Sequence, residues 1–169
     1  MIRIGALKDL PQLRLIYNQS IASFYSTCDT SLRSSTERIR WFQQFTERHP
    51  IWVYEEANKV LAYACLFPYS WKEGYNFTVE DAVYVLKESQ GKGLGSMLLK
   101  HLVNFCEKNG YHNIIARIFS KNPASINMHL SQGFQKVGHI KEVARVNGSF
   151  EDIEIYSKLI NHNHQLPME

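Results

Sequence analysis

The stretch from Thr78 to Ser96 reads TVEDAVYVLKESQGKGLGS, and it determines how the rest of the chain is interpreted. Its first part has the pattern of a β-strand that carries two adjacent carboxylates, and a short polar turn follows. Three closely spaced glycines then open an amphipathic helix. Because backbone N–H groups at a helix N-terminus bind anions, this single segment predicts a carboxylate close to a phosphate-binding loop.

The spacing of the glycines excludes two common phosphate-binding motifs. A P-loop requires Gly-Lys followed directly by Ser or Thr, whereas Gly93 follows Lys92 in this chain. The dinucleotide fingerprint G-x-G-x-x-G requires two residues before its third glycine, but only Leu94 separates Gly93 from Gly95. A tight strand-to-helix connection without a ligand is the alternative interpretation of the loop.

Strand and helix signals alternate along the chain without an internal repeat. A capping-box pattern at Ser34 and Glu37 and the pair Asn122-Pro123 predict the starts of two helices. Asn147-Gly148 between two β-type runs predicts a closing hairpin. The predicted order is βααβββαβαββ, an α/β fold with a mixed sheet, in one domain over residues 1–160. A polar tail over residues 161–169 completes the chain.

Charge and hydrophobicity limit the classes of partner. The formal net charge is +3, from 19 Lys and Arg against 16 Asp and Glu, and no long basic block occurs. A nucleic-acid partner is therefore not expected. The longest apolar run, Val60 to Phe67, is too short to span a bilayer, so no membrane partner is expected either.

Cysteine and histidine usage bears on compartment and metal content. Cys28, Cys65 and Cys106 lie far apart and form no C-x-x-C pair. Scattered thiols of odd number predict a reduced, cytoplasmic protein rather than a disulfide framework. The tail histidines His162 and His164 have no second ligand pair nearby, so no metal is expected.

With these features in place, the sequence resembles the GCN5-related N-acetyltransferases. The acyl-CoA pyrophosphate loop of that family has the signature Q/R-x-x-G-x-G/A, which Gln90, Gly93 and Gly95 match. The element order follows the family from Ile2 to Ile160. Within the family the chain looks closest to the phosphinothricin acetyltransferase branch, and the residues that carry this likeness are Asn18 with Ile21, Thr78-Val79-Glu80, Val83-Tyr84-Val85, the glycine loop, Asn122, and His129 with Leu130 to Phe134.

The resemblance implies a GNAT-type fold, with a mixed, mostly antiparallel sheet flanked by helices, and acetyl-CoA as the acyl donor. It implies that the backbone of Val83, Tyr84 and Val85 pairs with the pantetheine arm as an added strand would. Asn122 would contact the cofactor, although its Asn-Pro context also fits a plain helix N-cap. The pyrophosphate would be held by the loop residues Gln90, Gly91, Lys92, Gly93, Leu94, Gly95 and Ser96.

Acetyl transfer to an amine needs a base, because an α-ammonium group must lose a proton before it attacks a thioester. Glu80 is the predicted base, and the Thr-Val-Glu match favours it. Asp81 is the second candidate, but strand alternation places it on the apolar face, where it needs a partner. His129 is the predicted acid for the departing thiolate, and a histidine that packs and caps locally is the alternative. No cysteine is expected at a position suited to a covalent intermediate, so direct transfer is expected.

The resemblance also implies an acceptor. The branch acetylates the α-amino group of small amino acids and analogues, of the phosphinothricin, methionine sulfone or methionine sulfoximine type. Phe24 and Tyr75 are the predicted aromatic contacts of this acceptor, and for the tyrosine a core or dimer contact is the alternative. Lys72 is the predicted partner of its carboxylate, with Arg33 as second choice and a solvated lysine as the alternative.

Other functions and the oligomeric state stay open in the sequence. The alternative activities are acetylation of a protein N-terminus or of a polyamine. A catalytically inactive module that only binds acyl-CoA is the alternative from a different class of protein. Related enzymes are commonly dimers, so a homodimer is expected.

Overall fold

The computed structural model describes residues 1–23 and 25–160. Phe24 and the predicted tail at 161–169 lie outside these residues. The described part follows the predicted order βααβββαβαββ, which confirms the fold prediction. Its strands and helices are β1 Ile2–Ile4, α1 Leu10–Ala22, α2 Ser35–Phe42, β2 Ile51–Glu56, β3 Lys59–Pro68, β4 Thr78–Val85, α3 Leu94–Lys108, β5 Asn113–Phe119, α4 Pro123–Ser131, β6 Gln135–Val146 and β7 Ser149–Leu159.

The described strands form one sheet in the order β1-β2-β3-β4-β5-β7-β6. Every neighbouring pair is antiparallel except β4 and β5, which are parallel. β4 pairs with β5 only from Thr78 to Glu80, whereas it stays paired with β3 as far as Val85. Beyond Glu80 the two parallel strands separate, so an edge of β4 is left uncovered in the middle of the sheet.

The helices cover the two faces of the sheet with separate apolar cores. On one face, α3 buries Leu98, Leu102 and Cys106 against a core that includes Val79 and Ile114. On the other, the core is built by α1 and the opposite side of the strands, with α2 packed against it. Each buried Leu or Ile side chain contributes about 1.5–3 kcal/mol, so the two cores together hold the separated strands in place.

β4 contributes alternately to both cores, as a strand with both faces covered must. Val79 and Val83 pack towards α3, while Ala82 and Tyr84 pack towards α1 and α2. The predicted alternation is therefore confirmed, and Glu80 and Asp81 point to opposite faces of the sheet. No helix in the described ranges is long and apolar enough to cross a bilayer.

Candidate active site

The separation of β4 from β5 opens a cavity of about 820 Å³. Residues from both faces of the sheet line it, because the gap between the strands connects the two sides. Its walls come from the segment after α1, the end of β3, the strands β4 to β7 and the helix α4, and they include 25–28, 80–84, 116–119 and 143–145.

The uncovered edge of β4 directs specific backbone groups into this cavity. The N–H of Leu86 donates to the carbonyl of Leu61 at 2.8 Å, which fixes the alternation of the β3–β4 ladder. Tyr84 is therefore at a position that bonds to β3, whereas the N–H and C=O of Val83 and Val85 point away from it. Of the residues predicted for a pantetheine arm, Val83 and Val85 direct their backbone groups away from β3, and Val83 and Tyr84 line the cavity.

The glycine loop leaves the N-terminus of α3 uncapped. Side-chain caps close the starts of α2 at Ser34 and of α4 at Asn122, but no side chain caps α3 at Gly93. Gly91 and Gly93 adopt φ values of +76° and +78°, and a Cβ on either would meet no atom within 4 Å. Because the first N–H groups of a helix have no partner inside it, this open, uncapped turn fits the pyrophosphate of an acyl-CoA.

The other loop residues support that turn in different ways. A Cβ on Gly95 would lie 2.9 Å from the Met128 sulfur, so glycine here allows α3 to pack closely on α4. Leu94 is buried, Lys92 is exposed, and Ser96 lies half-buried in the first helical turn. Gln90 Nε2 donates to the Val85 carbonyl at 3.4 Å and so joins the loop to the end of β4.

Asn122 acts as a helix cap and as a tie to another segment. Its Oδ1 accepts from the Ser125 N–H at 3.1 Å, and its Nδ2 donates to the Tyr25 carbonyl at 2.9 Å. The cap prediction is confirmed, and the loop after α1 is thereby fixed to the start of α4. Contact of Asn122 with the cofactor stays a prediction.

Glu80, the predicted base, lines the cavity and is paired with a cation. Arg117 Nε donates to Glu80 Oε1 at 2.7 Å. Glu80 is opposite Ile115 at the last paired position of β4 and β5, and Arg117 follows two residues later on the same face of the sheet. The hydrogen bond to Glu80 raises the pKa of Arg117, which keeps the guanidinium charged. Sequence reasoning missed Arg117, because its position beside Glu80 depends on the strand register.

Asp81 finds on the apolar face the partner that strand alternation requires. Its Oδ2 lies 2.9 Å from His129 Nε2, and the two side chains are only 1% and 4% exposed. His129 Nδ1 lies 2.7 Å from the Ser125 carbonyl oxygen, so both ring nitrogens face acceptors. Burial lowers the pKa of His129, but the charge of Asp81 and the two hydrogen bonds outweigh it and raise the pKa above the ordinary 6.5.

This geometry bears on both roles considered for His129. The ring lines the cavity and holds its proton more firmly than an ordinary histidine, as an acid at neutral pH requires. It also packs locally, since Phe134 contacts it edge-on and both nitrogens have partners within the chain. The assignment of His129 as the general acid stays a prediction.

The structure does not bring together the residues that were predicted to bind the acceptor. Lys72 is exposed at the start of a short turn and, among the described residues, lies outside the cavity wall. Tyr75 also lies outside the wall, but its ring is 5.2 Å from Tyr69, which lines it. Arg33 is held by Asp29 and Glu37 in surface ion pairs, and Phe24 is outside the described residues.

Cys28 lines the cavity, and the expectation that no cysteine is suited to a covalent intermediate stays a prediction. Sequence spacing could not place it there, because the segment after α1 reaches the cavity only through tertiary contacts. Desolvation raises the pKa of the Cys28 thiol despite the nearby charge of Arg117. A thiol that stays protonated is a weak nucleophile, so direct transfer is still expected.

Comparisons with known proteins identify the family of the chain. The chain matches the model of the acetyltransferase (GNAT) family over residues 16–134. It is 33% identical over 154 residues to an L-methionine sulfoximine/L-methionine sulfone acetyltransferase of Pseudomonas aeruginosa, covering 90% of each chain. It is 32% identical over 161 residues to phosphinothricin N-acetyltransferase of Streptomyces coelicolor, covering 93% of this chain and 94% of the relative.

The fold has an equally clear counterpart. A crystal structure of a GNAT superfamily phosphinothricin acetyltransferase from Sinorhizobium meliloti, in complex with acetyl-CoA, aligns with a TM-score of 0.93. The two chains are 28% identical, and the alignment covers 100% of this chain and 93% of the other.

The separated parallel strands and the uncapped glycine turn fit a transferase of the acyl-CoA-dependent class. The chain belongs to the acetyltransferase (GNAT) family. It is an acetyltransferase, and the similar Sinorhizobium meliloti structure holds acetyl-CoA, the donor that the resemblance predicted. Within the described ranges, no three His, Cys, Asp or Glu side chains are grouped as a metal site would need.

Gly93→Val is expected to weaken CoA binding about tenfold or more. A β-branched residue at φ +78° costs roughly 1–2 kcal/mol and fills the open space before the helix. The matched control is Gly110→Val at the other end of α3, where φ is +76° and the space is also open. Titration calorimetry with CoA should separate the two variants, and unaltered affinity of Gly93→Val would refute the assignment of the loop.

Proposed function

We propose that this enzyme acetylates the α-amino group of a small amino acid or analogue, of the phosphinothricin, methionine sulfone or methionine sulfoximine type. The observation that carries the proposal is the Glu80 carboxylate, which lines the cavity where β4 and β5 separate. It stands beside the strand edge suited to the donor, where an acceptor amine would meet it. The named substrates of the relatives support the same class of acceptor.

Acetyl-CoA, when bound, supplies the acetyl group as an activated thioester. Backbone groups of Val83 and Val85 would hold the pantetheine arm, and N–H groups of residues 91–96 would hold the pyrophosphate. Asn122, on the cavity wall at the start of α4, would contact the cofactor. The backbone groups of Val83 and Val85 face away from β3, and the loop N–H groups have no side-chain cap, so the fold leaves both open to the cofactor.

The acid–base work belongs to Glu80 and His129 in this proposal. Glu80 takes a proton from the ammonium group of the acceptor and leaves a neutral amine in the cavity. His129, on the opposite side of the strand gap, is the proposed proton donor to the departing thiolate. Asp81 and the Ser125 carbonyl hold the charged ring against the cavity wall until that transfer.

Release of CoA thiol from acetyl-CoA tests the proposed function directly. Phosphinothricin, methionine sulfone and methionine sulfoximine should give rapid release, whereas spermidine and a peptide amine should give little. Preference for the peptide or the polyamine would replace the proposed acceptor class. CoA binding without thiol release for any of these acceptors would favour a non-catalytic module.

A homodimer is proposed from the exposed apolar surface of the last two strands. β6 is the edge strand of the sheet, and Val137, Val143 and Phe150 are 61%, 52% and 62% exposed. An apolar edge of this kind is typical of a protein interface. Light scattering should give twice the 19.7 kDa chain mass. Phe150→Asp should yield monomers, whereas Leu7→Asp, at an equally exposed site on another part of the surface, should not.

A cytoplasmic location is proposed on the state of the thiols. Cys28, Cys65 and Cys106 are free, which suits a reducing compartment. No nucleic-acid or membrane partner is included in the proposal.

A further inference from the structure

We infer that Arg117 and Glu80 together form the recognition site for a zwitterionic acceptor, and that they exchange partners when it binds. In the exchange, Arg117 takes the α-carboxylate of the acceptor and Glu80 takes its α-ammonium group. This inference rests on the proposed function. It adds that the acceptor must carry a carboxylate, and it names the residue that binds that carboxylate.

The placement of Arg117 makes the exchange sterically possible. Both residues line the cavity, and Arg117 Nε is the atom that meets Glu80 at 2.7 Å. A guanidinium carries five N–H donors, so a carboxylate can approach it before the contact with Glu80 is lost. The Arg117 side chain is 61% exposed while that of Glu80 is 19% exposed, so the arginine is the partner that is able to turn.

Other cations near the cavity are less suited to this role. Arg145 lines the cavity, but its guanidinium lies over the Phe150 ring, 5.9 Å from the centroid. Lys121 is tied to the buried carboxylate of Glu151 at 2.8 Å. Lys72 lies outside the wall that the described residues form. Arg117 is therefore the cation that stands beside the predicted base.

Charge complementarity then selects the acceptor. An α-amino acid presents a cation and an anion on two groups bonded to one carbon atom, so both can reach one adjacent Arg–Glu pair. It replaces one ion pair by two, so neither Arg117 nor Glu80 is left without a partner. An amine without a carboxylate has to displace the guanidinium and leaves it unmatched. The site thus favours amino acids over amides and polyamines.

The exchange also prepares Glu80 for proton transfer. The Oε1 atom that accepts from Arg117 is engaged as long as the ion pair is intact. Once the α-carboxylate draws the guanidinium away, that oxygen can face the α-ammonium group. One proton then moves from the ammonium nitrogen to the carboxylate, which gives a neutral amine and a neutral carboxyl group. The carboxylate of the acceptor therefore assists the deprotonation of its own amine.

The test compares L-methionine sulfone with its α-carboxamide as acceptors in steady-state kinetics. Arg117→Ala should raise KM for the acid about 10- to 100-fold, as expected for loss of a charge-assisted hydrogen bond. The kcat/KM for the carboxamide should stay within about threefold of wild type or increase. Arg117→Lys should fall between wild type and Arg117→Ala for the acid, because lysine keeps the charge and loses the fork.

Two control variants and the wild type make every outcome decisive. Arg145→Ala removes a cation from the cavity wall and Lys136→Ala removes one from the surface pair with Glu154, and neither should discriminate between acid and carboxamide. The inference would be overturned if Arg117→Ala lowered kcat/KM equally for both acceptors or for neither. It would also be overturned if a control variant lowered kcat/KM for the acid alone. A wild-type enzyme inactive on both acceptors would instead contradict the proposed function.

Discussion

Glu80→Gln is expected to lower kcat by about 10²- to 10⁴-fold, the usual contribution of a positioned general base. Glutamine keeps the size and one carbonyl acceptor of the side chain but cannot take a proton. Arg117, which loses its ionic partner, is largely exposed and can be solvated, so the variant should fold. The affinity for CoA should stay near wild type, because the cofactor groups lie on the β4 backbone and the loop before α3.

The pH profile distinguishes a base from a residue that only orients the acceptor. At low pH the acceptor amine is protonated and needs Glu80, whereas at high pH solvent hydroxide supplies neutral amine to both enzymes. The ratio of wild-type to Glu80→Gln rates should therefore shrink as the pH approaches the amine's own pKa. Glu154→Gln is the matched control, since Glu154 is a strand carboxylate paired with Lys136 at 2.7 Å. A ratio of wild-type to Glu80→Gln rates that does not change with pH would count against Glu80 as the base.

Asp81→Asn is expected to destabilise the protein by about 3 kcal/mol, because it removes one charge of a buried ion pair. Both side chains are almost fully buried, so solvent cannot replace the lost partner. With a total free energy of unfolding of about 5–15 kcal/mol for a domain, the loss is readily measured by urea denaturation.

The loss should depend on pH with a definite sign. The folded state raises the pKa of His129 above 6.5, so it binds a proton that the unfolded state releases between the two pKa values. The stabilisation is complete below the unfolded pKa and disappears as the pH rises through the folded one. The difference between wild type and Asp81→Asn should thus be large at about pH 6 and smaller at about pH 9.

A surface pair provides the control for this prediction. His139 and Asp152 also form a His–Asp contact, at 3.0 Å, but their side chains are 33% and 35% exposed. Asp152→Asn should change the urea midpoint much less than Asp81→Asn, because water screens the exposed pair. Asp81→Asn with a wild-type midpoint at the lower pH would contradict the role assigned to the buried pair.

Much of the fold follows from local sequence rules. Ser34 with Glu37 and Asn122 with Pro123 start helices where their capping patterns predict, since caps depend on residues only three positions apart. The Asn147-Gly148 turn joins β6 and β7, with both residues at positive φ. Alternation along β4 correctly separated the faces of Glu80 and Asp81, because side chains in any strand change sides at each residue.

The candidate site was only partly predictable. The glycine turn at Gly91 and Gly93 and the carboxylate of Glu80 were found from motif and spacing. Asp81 was expected to need a partner on its apolar face, but nothing in the sequence indicated that His129, 48 residues away, supplies it. Cys28 likewise reaches the cavity through a segment whose path is set by contacts with α4.

By itself, then, the sequence determined the order of elements, the face of each β4 side chain, the uncapped start of α3 and the family. These properties depend on residues close together in the chain. Only the tertiary structure decided which side chains meet: Arg117 with Glu80, and His129 with Asp81. Those contacts depend on the register of β4 against β5 and on the point where the strands separate, which is set by the packing of two whole cores rather than by any local pattern.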